Sequence, residues 1–263
     1  MNNVSLQSCA RANIHDTLTL AVECAPDAPA LLVYDEQSGL SRLLAEAYRA
    51  SLTNAAALNF DRTTAKEVLS AVEALPPKGL VVLIQSTRFR LNEYRFRVEL
   101  FNRGLKVIEH PHLGRIADAE FAVYIDALAY DPSYYRSVGP ALKARIDRAA
   151  RIGVICEGTE LIYASPFEAA KLNIGDYRGM KNVGGQFPIG EVFSEPKEVR
   201  RVNGALKVFA FGDTDFTVHA PDRPFTAVIE RGMLIAAPDA PEAFRRVLDQ
   251  IRAEEREVWV REL

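Results

Sequence analysis

The sequence predicts an α/β protein. An N-terminal domain with a parallel sheet is followed by a mixed, mostly antiparallel α+β domain. Three observations carry this expectation. Gly79-Leu-Val-Val-Leu-Ile84 is an unbroken apolar run rich in β-branched residues, as in a parallel strand buried on both faces. Runs of this kind alternate with helical periodicity through the first half of the chain, which calls for helices on both faces of one sheet. Beyond about residue 150 the pattern changes to short strands separated by glycine turns, the mark of an antiparallel meander.

Each element follows from local chemistry. Ala30-Leu-Leu-Val-Tyr34, ended by Asp35, reads as a buried strand. Leu40, Leu43, Leu44 and Ala47 recur at helical spacing, so the helix runs from Leu40 to Leu52. Ala56-Ala-Leu-Asn-Phe60 is the second strand, and Thr63 or Thr64 caps a helix that Pro76-Pro77 stops,. After the Gly79–Ile84 strand comes a helix from Asn92 with Gly104 as its cap, then the strand Leu105–Glu109,. Asp131 is an N-cap with Pro132 at the first helical position, and this helix ends near Arg151,. The domain boundary is drawn here, giving residues 1–135 and 136–263. Strands follow at Ile152–Cys156, Leu161–Tyr163, Leu206–Phe211, Phe216–His219, Phe225–Ile229 and Met233–Ile235. Turns are expected at Asn203-Gly204, Gly212-Asp213 and Arg231-Gly232,. A last helix spans Pro241 to Glu255, and Val258-Trp-Val260 opens a further strand.

Composition narrows the function. At 263 residues, 48% hydrophobic and 25% charged, the chain has the balance of a globular protein,. A net charge of −3 gives no general attraction to nucleic acid,. No basic stretch followed by an apolar run opens the chain, and no apolar run approaches the ~20 residues that cross a bilayer. Cys9, Cys24 and Cys156 are widely spaced, which fits reduced thiols and a cytoplasmic setting,. G-x-S-x-G, Walker A, H-E-x-x-H and G-x-G-x-x-G patterns are absent, so the simplest serine-hydrolase, P-loop, zincin and dinucleotide readings fall away.

Two glutamates are the candidate metal ligands. Asn182-Val-Gly-Gly-Gln-Phe-Pro-Ile-Gly-Glu-Val-Phe-Ser-Glu-Pro196 concentrates glycine and proline around Glu191. Such a loop fixes the position of its carboxylate. Glu191 sits among Ile189, Val192 and Phe193, where a carboxylate needs a partner or a metal,. Glu262 shares a strand face with Val258 and Val260, opposite Trp259, Arg261 and Leu263,. The plainer alternatives are a turn-capping glutamate and an exposed terminal one. His110-Pro-His112 sets two imidazoles at i, i+2, facing one metal or bonding loop backbone; His15 and His219 are isolated. Arg88, Arg90, Arg95 and Arg97, interleaved with Phe89, Tyr94 and Phe96, are either a solvated helix face or a patch for an anionic ligand,.

These residues carry a resemblance. Gly184-Gly-Gln-Phe-Pro-Ile-Gly-Glu-Val-Phe-Ser-Glu-Pro196 with Val202-Asn-Gly204 resembles the glycine-rich signature of the thermophilic-type metallo-aminopeptidases. Glu157-Gly-Thr-Glu-Leu161 is similar to that family's Gly-Thr-Asp-Leu strand, with Glu160 for the usual aspartate. Val260-Arg-Glu-Leu263 is similar to the start of its Glu-Leu-Gly motif. The resemblance implies two divalent ions (zinc, cobalt or manganese), Glu191 as the first glutamate ligand and Glu262 as the bridging one. It implies hydrolysis of N-terminal peptide bonds and a homodimer, with a peptide or small-molecule substrate and neither nucleic acid nor membrane as partner. The family's further ligands, a His and a His-x-Asp with a catalytic Tyr between, correspond to positions beyond Leu263, so a truncated chain is expected. The fold is also similar to that of the 2,5-dihydroxypyridine dioxygenases, which implies a single Fe(II) and ring cleavage. A homologue without catalysis is the third reading.

Overall fold

The structure is a computed structural model that describes residues 3–87, 89, 96–215 and 217–263. In chain order the first elements are α1 (Asn3–Asp16), β1 (Ala30–Tyr34), α2 (Gly39–Ser51), β2 (Ala55–Asn59), α3 (Ala65–Glu73), β3 (Leu80–Ile84), α4 (Phe96–Asn102), β4 (Lys106–His110) and α5 (Phe121–Asp126). α6 (Pro132–Arg148), β5 (Ile152–Cys156), β6 (Thr159–Tyr163), β7 (Lys171–Asn173), β8 (Gly184–Gln186) and β9 (Glu191–Phe193) follow. β10 (Val202–Val208), β11 (Phe211–Gly212), β12 (Val218–His219), β13 (Phe225–Glu230), β14 (Met233–Ala236) and α7 (Glu242–Glu255) complete the set. No described helix is long and apolar enough to cross a membrane.

The chain divides into two compact units. The first comprises residues 1–137 and 173–190, the second 138–172 and 191–263. The first unit is built on a parallel sheet of order β2-β1-β3-β4-β8. Strand alternation feeds two cores. Leu32, Val82 and Ile108 join α1, α2 and α5 on one face, while Leu31, Val33, Val81, Leu83 and Val107 meet Val68, Val72 and Leu100 of α3 and α4 on the other,. This is why β1 and β3 are apolar at every position: all ten residues are buried. Caps set the helix starts. Ser38 and Ser41 form a reciprocal capping box on α2, and Thr64 and Glu67 one on α3,.

The second unit holds an antiparallel sheet of order β14-β13-β10-β6-β5. Its core gathers Leu161, Tyr163, Val202, Ala227 and Ile229, with Ile146 of α6 and Val260 packed against them. The expected mix of a parallel and an antiparallel sheet is therefore present, and the segment 173–190 returns to the first unit, where β8 becomes its fifth strand. Some details differ from expectation. Asn203-Gly204 is not a turn but lies inside β10, where Gly204 pairs with both Ile229 and Leu161. A Cβ there would stand 2.1 Å from the Glu160 carbonyl oxygen, so the glycine serves close strand approach and not reversal. Arg231-Gly232 is the expected turn, with φ of 50° and 79°,. α1 and α5 were not foreseen. α1 has weak amphipathic character, and α5 has only six residues, so neither shows a clear stripe.

Candidate functional site

The two glutamates singled out by sequence lie in the second unit. Glu191 is the first residue of β9 and is exposed. The C-terminal segment runs along β14, with Leu234 N donating to Val258 O at 2.9 Å and Val260 N to Gly232 O at 2.8 Å. It then reaches the segment after β9. Ser194 N donates to Leu263 O at 3.1 Å, and Leu263 N to Ser194 O at 3.0 Å. That reciprocal pair is antiparallel. It sets Glu262 opposite Glu195, four residues along the chain from Glu191, which is roughly 13 Å at the rise of a strand,. Glu262 is exposed, like Glu191. Among the described residues no group of three or more His, Cys, Asp or Glu side chains is gathered closely enough to hold a metal ion.

The other histidines and the arginines resolve differently. His110 is fully buried. Its Nε2 lies 2.8 Å from the Tyr48 hydroxyl and its Nδ1 2.9 Å from that of Tyr124. Tyr124 donates in turn to the Phe187 carbonyl at 3.3 Å. One arrangement gives every proton an acceptor: Nδ1–H donates to Tyr124, and Tyr48 donates to Nε2. Burial lowers the His110 pKa to about 3 and raises those of Tyr48 and Tyr124, so the ring is neutral and fully engaged. It is neither a metal ligand nor a loop histidine. His112 adopts a left-handed conformation, φ 59°. His219 is not isolated: its Nε2 lies 2.7 Å from Asp213 Oδ2 across the β11–β12 turn, and that hydrogen bond lowers the Asp213 pKa. Of the arginine cluster, Arg88, Arg90, Tyr94 and Arg95 lie outside the described residues. Arg97 pairs with Glu109 at 2.9 Å, and Phe89 stacks on Phe60 at 4.1 Å.

Sequence reasoning also passed over Asp35. In the order β2-β1-β3-β4 the chain reverses its direction of travel at β1, and open α/β sheets bind ligands beyond the strand ends at such a point. Here the chain fills that place itself. Asp35, fully buried, accepts from Ser86 N at 2.6 Å and from Ser86 Oγ at 2.5 Å. Leu113 N donates to Gln85 O at 2.9 Å, and Gly114 N to Ser86 O at 3.0 Å. A Cβ on Gly114 would lie 2.9 Å from Ser86 O, so glycine lets the backbone close over the strand ends. The only signal in the sequence was an acidic residue directly after an apolar strand.

A cleft of about 980 Å³ lies elsewhere in the first unit, between α1, α2 and the start of α5. It is lined by charges of both signs, including Arg11, Arg42, Glu46 and Asp118.

No family model and no curated protein sequence matches the chain. Solved structures do. The 2,5-dihydroxypyridine dioxygenase from Pseudomonas putida KT2440 matches with a TM-score of 0.60 and 16% identity, over 96% of this chain and 72% of its own. Wild-type AmpT from Thermus thermophilus matches with a TM-score of 0.51 and 14% identity, over 92% of this chain and 74% of its own. At these identities the likeness is one of fold.

Proposed function

We propose that the chain is a metal-dependent hydrolase of the aminopeptidase kind, with Glu191 and Glu262 as carboxylate ligands. The observation that carries this reading is the reciprocal bonding of Ser194 with Leu263. It runs the two glutamate-bearing segments side by side. Oxygen donors suit a hard ion, so manganese is favoured over zinc, which prefers nitrogen and sulfur partners as well. Among the described residues no third His, Cys, Asp or Glu joins them in a metal-holding group, so the two glutamates alone leave such a site without its remaining donors. A bound ion would supply polarisation of a carbonyl and a more acidic water. Glu191 and Glu262 would be the ligands that this chain contributes to the ion.

The second reading is a ring-cleaving dioxygenase with a single Fe(II). Its support is the higher TM-score of the dioxygenase, 0.60 against 0.51. Calorimetric titration with Mn²⁺ tests the first reading. Glu191→Gln and Glu262→Gln are each expected to weaken binding at least about tenfold, the scale seen when metal-site groups are altered. Equal affinity in wild type and both variants would sink the hydrolase reading. Cleavage of an aminoacyl anilide supports the hydrolase, and oxygen-dependent loss of 2,5-dihydroxypyridine the dioxygenase.

A further inference from the structure

The cleft in the first unit offers a different chemistry. Its lining includes Gln7 and Arg11 from α1, Arg42 and Glu46 from α2, and Asp118 and Phe121. Arg42 and Glu46 stand at i, i+4, a spacing at which opposite charges on a helix ordinarily pair. They do not pair. Arg42 Nη1 instead donates to the Glu36 carbonyl at 2.6 Å, which holds the guanidinium beside the start of α2. There the helix dipole adds to its positive charge. Among the described residues Arg11, Glu46 and Asp118 make no ion pair within 4.0 Å. The Gln7 Nε2 is buried without an acceptor, an orphan donor of the kind that a bound carboxylate relieves. Phe121 adds an apolar wall.

Unpaired charges of both signs, separated along a helix and facing one cleft, describe the negative image of a zwitterion. We propose that this cleft binds a small molecule whose carboxylate and ammonium stand apart by about one helical turn, roughly 6 Å. An ω-amino acid or a dipeptide has that form. The carboxylate is received by Arg42 and Gln7, with Arg11 close by in sequence spacing on α1. The ammonium is received by Glu46 and Asp118. Nothing in this proposal uses Glu191, Glu262 or a metal.

The test is calorimetry on the whole chain in EDTA, with 6-aminohexanoate, glycyl-leucine, hexanoate and hexylammonium as probes. At least one zwitterion is expected to bind, with hexanoate and hexylammonium weaker by tenfold or more. Which zwitterion binds more tightly separates the ω-amino acid from the peptide. Arg42→Gln and Glu46→Gln are each expected to lower the affinity at least tenfold without moving the unfolding midpoint, and Glu191→Gln to leave it unchanged. The proposal is overturned if neither zwitterion saturates at millimolar concentration. Hexanoate binding as tightly as 6-aminohexanoate overturns it too, since that marks an anion site. So does indifference to both α2 substitutions.

Discussion

Acidification from about pH 6.5 towards pH 3 is expected to destabilise the first unit by up to roughly 5 kcal/mol through His110 alone. Its imidazole is fully buried, bonded at both nitrogens, and has its pKa lowered to about 3. In the unfolded chain the same ring takes up a proton near pH 6.5. Between those limits the unfolded state binds more protons than the folded one, so stability rises with pH and is lost as pH falls. Above about pH 6.5 both states are neutral and the contribution is complete. The measurement is urea unfolding followed by tyrosine signals. Of the nine tyrosines only Tyr163 belongs to the second unit, whereas the single tryptophan, Trp259, reports that unit. His110→Gln should lower the tyrosine-monitored stability at neutral pH and flatten its dependence between about pH 4 and 6.5. A slope that survives the substitution would assign the proton uptake to another group.

Gly184→Ala and Gly204→Ala are expected to be the most damaging small substitutions, each costing about 3 kcal/mol or more. Both glycines have positive φ, 99° and 131°. Their new methyl groups would meet backbone, the Val107 carbonyl oxygen at 1.9 Å and the Glu160 carbonyl oxygen at 2.1 Å. A backbone oxygen in a paired strand cannot swing aside as a side-chain tip can, so the strands must part. The two variants should also separate by probe. Gly184→Ala loosens β8 from β4 and moves the tyrosine transition. Gly204→Ala opens β10 from β6 and moves the tryptophan transition. Gly212→Ala is the control, since it meets nothing within 4 Å and has an ordinary φ. Equal midpoints for all three would show that the close approaches do not limit stability.

The first unit was largely legible because its strands β1 and β3 are buried on both faces, and continuous apolar runs announce themselves. Gly79–Ile84 was the plainest case, and all five residues of β3 are buried. What escaped was whatever depends on strands and helices meeting. Asp213 and His219 are close in sequence but become partners only once β11 and β12 pair. Tyr48, His110 and Tyr124 come from α2, β4 and α5, and no local pattern predicts that three such elements meet. β8 was hidden for a related reason: Gly184-Gly-Gln186 has none of the β-branched residues that mark a strand,. Its pairing with β4 requires glycine at 184, where a Cβ would meet the Val107 carbonyl oxygen. The candidate metal ligands were named from their loops, yet the meeting of their segments rests on one backbone pairing of Ser194 with Leu263 that spacing alone did not give.

That late fifth strand bears on how the protein is made. β2, β1, β3 and β4 are contiguous in the growing chain, but β8 reaches the ribosome exit only after residues 138–172 of the second unit have been synthesised. Until then β4 is a bare edge with unpaired amides and carbonyls, the kind of surface on which nascent chains aggregate. Slowing translation between residues 110 and 184 would prolong that exposure, and a chaperone that shields strand edges would be needed most in this interval.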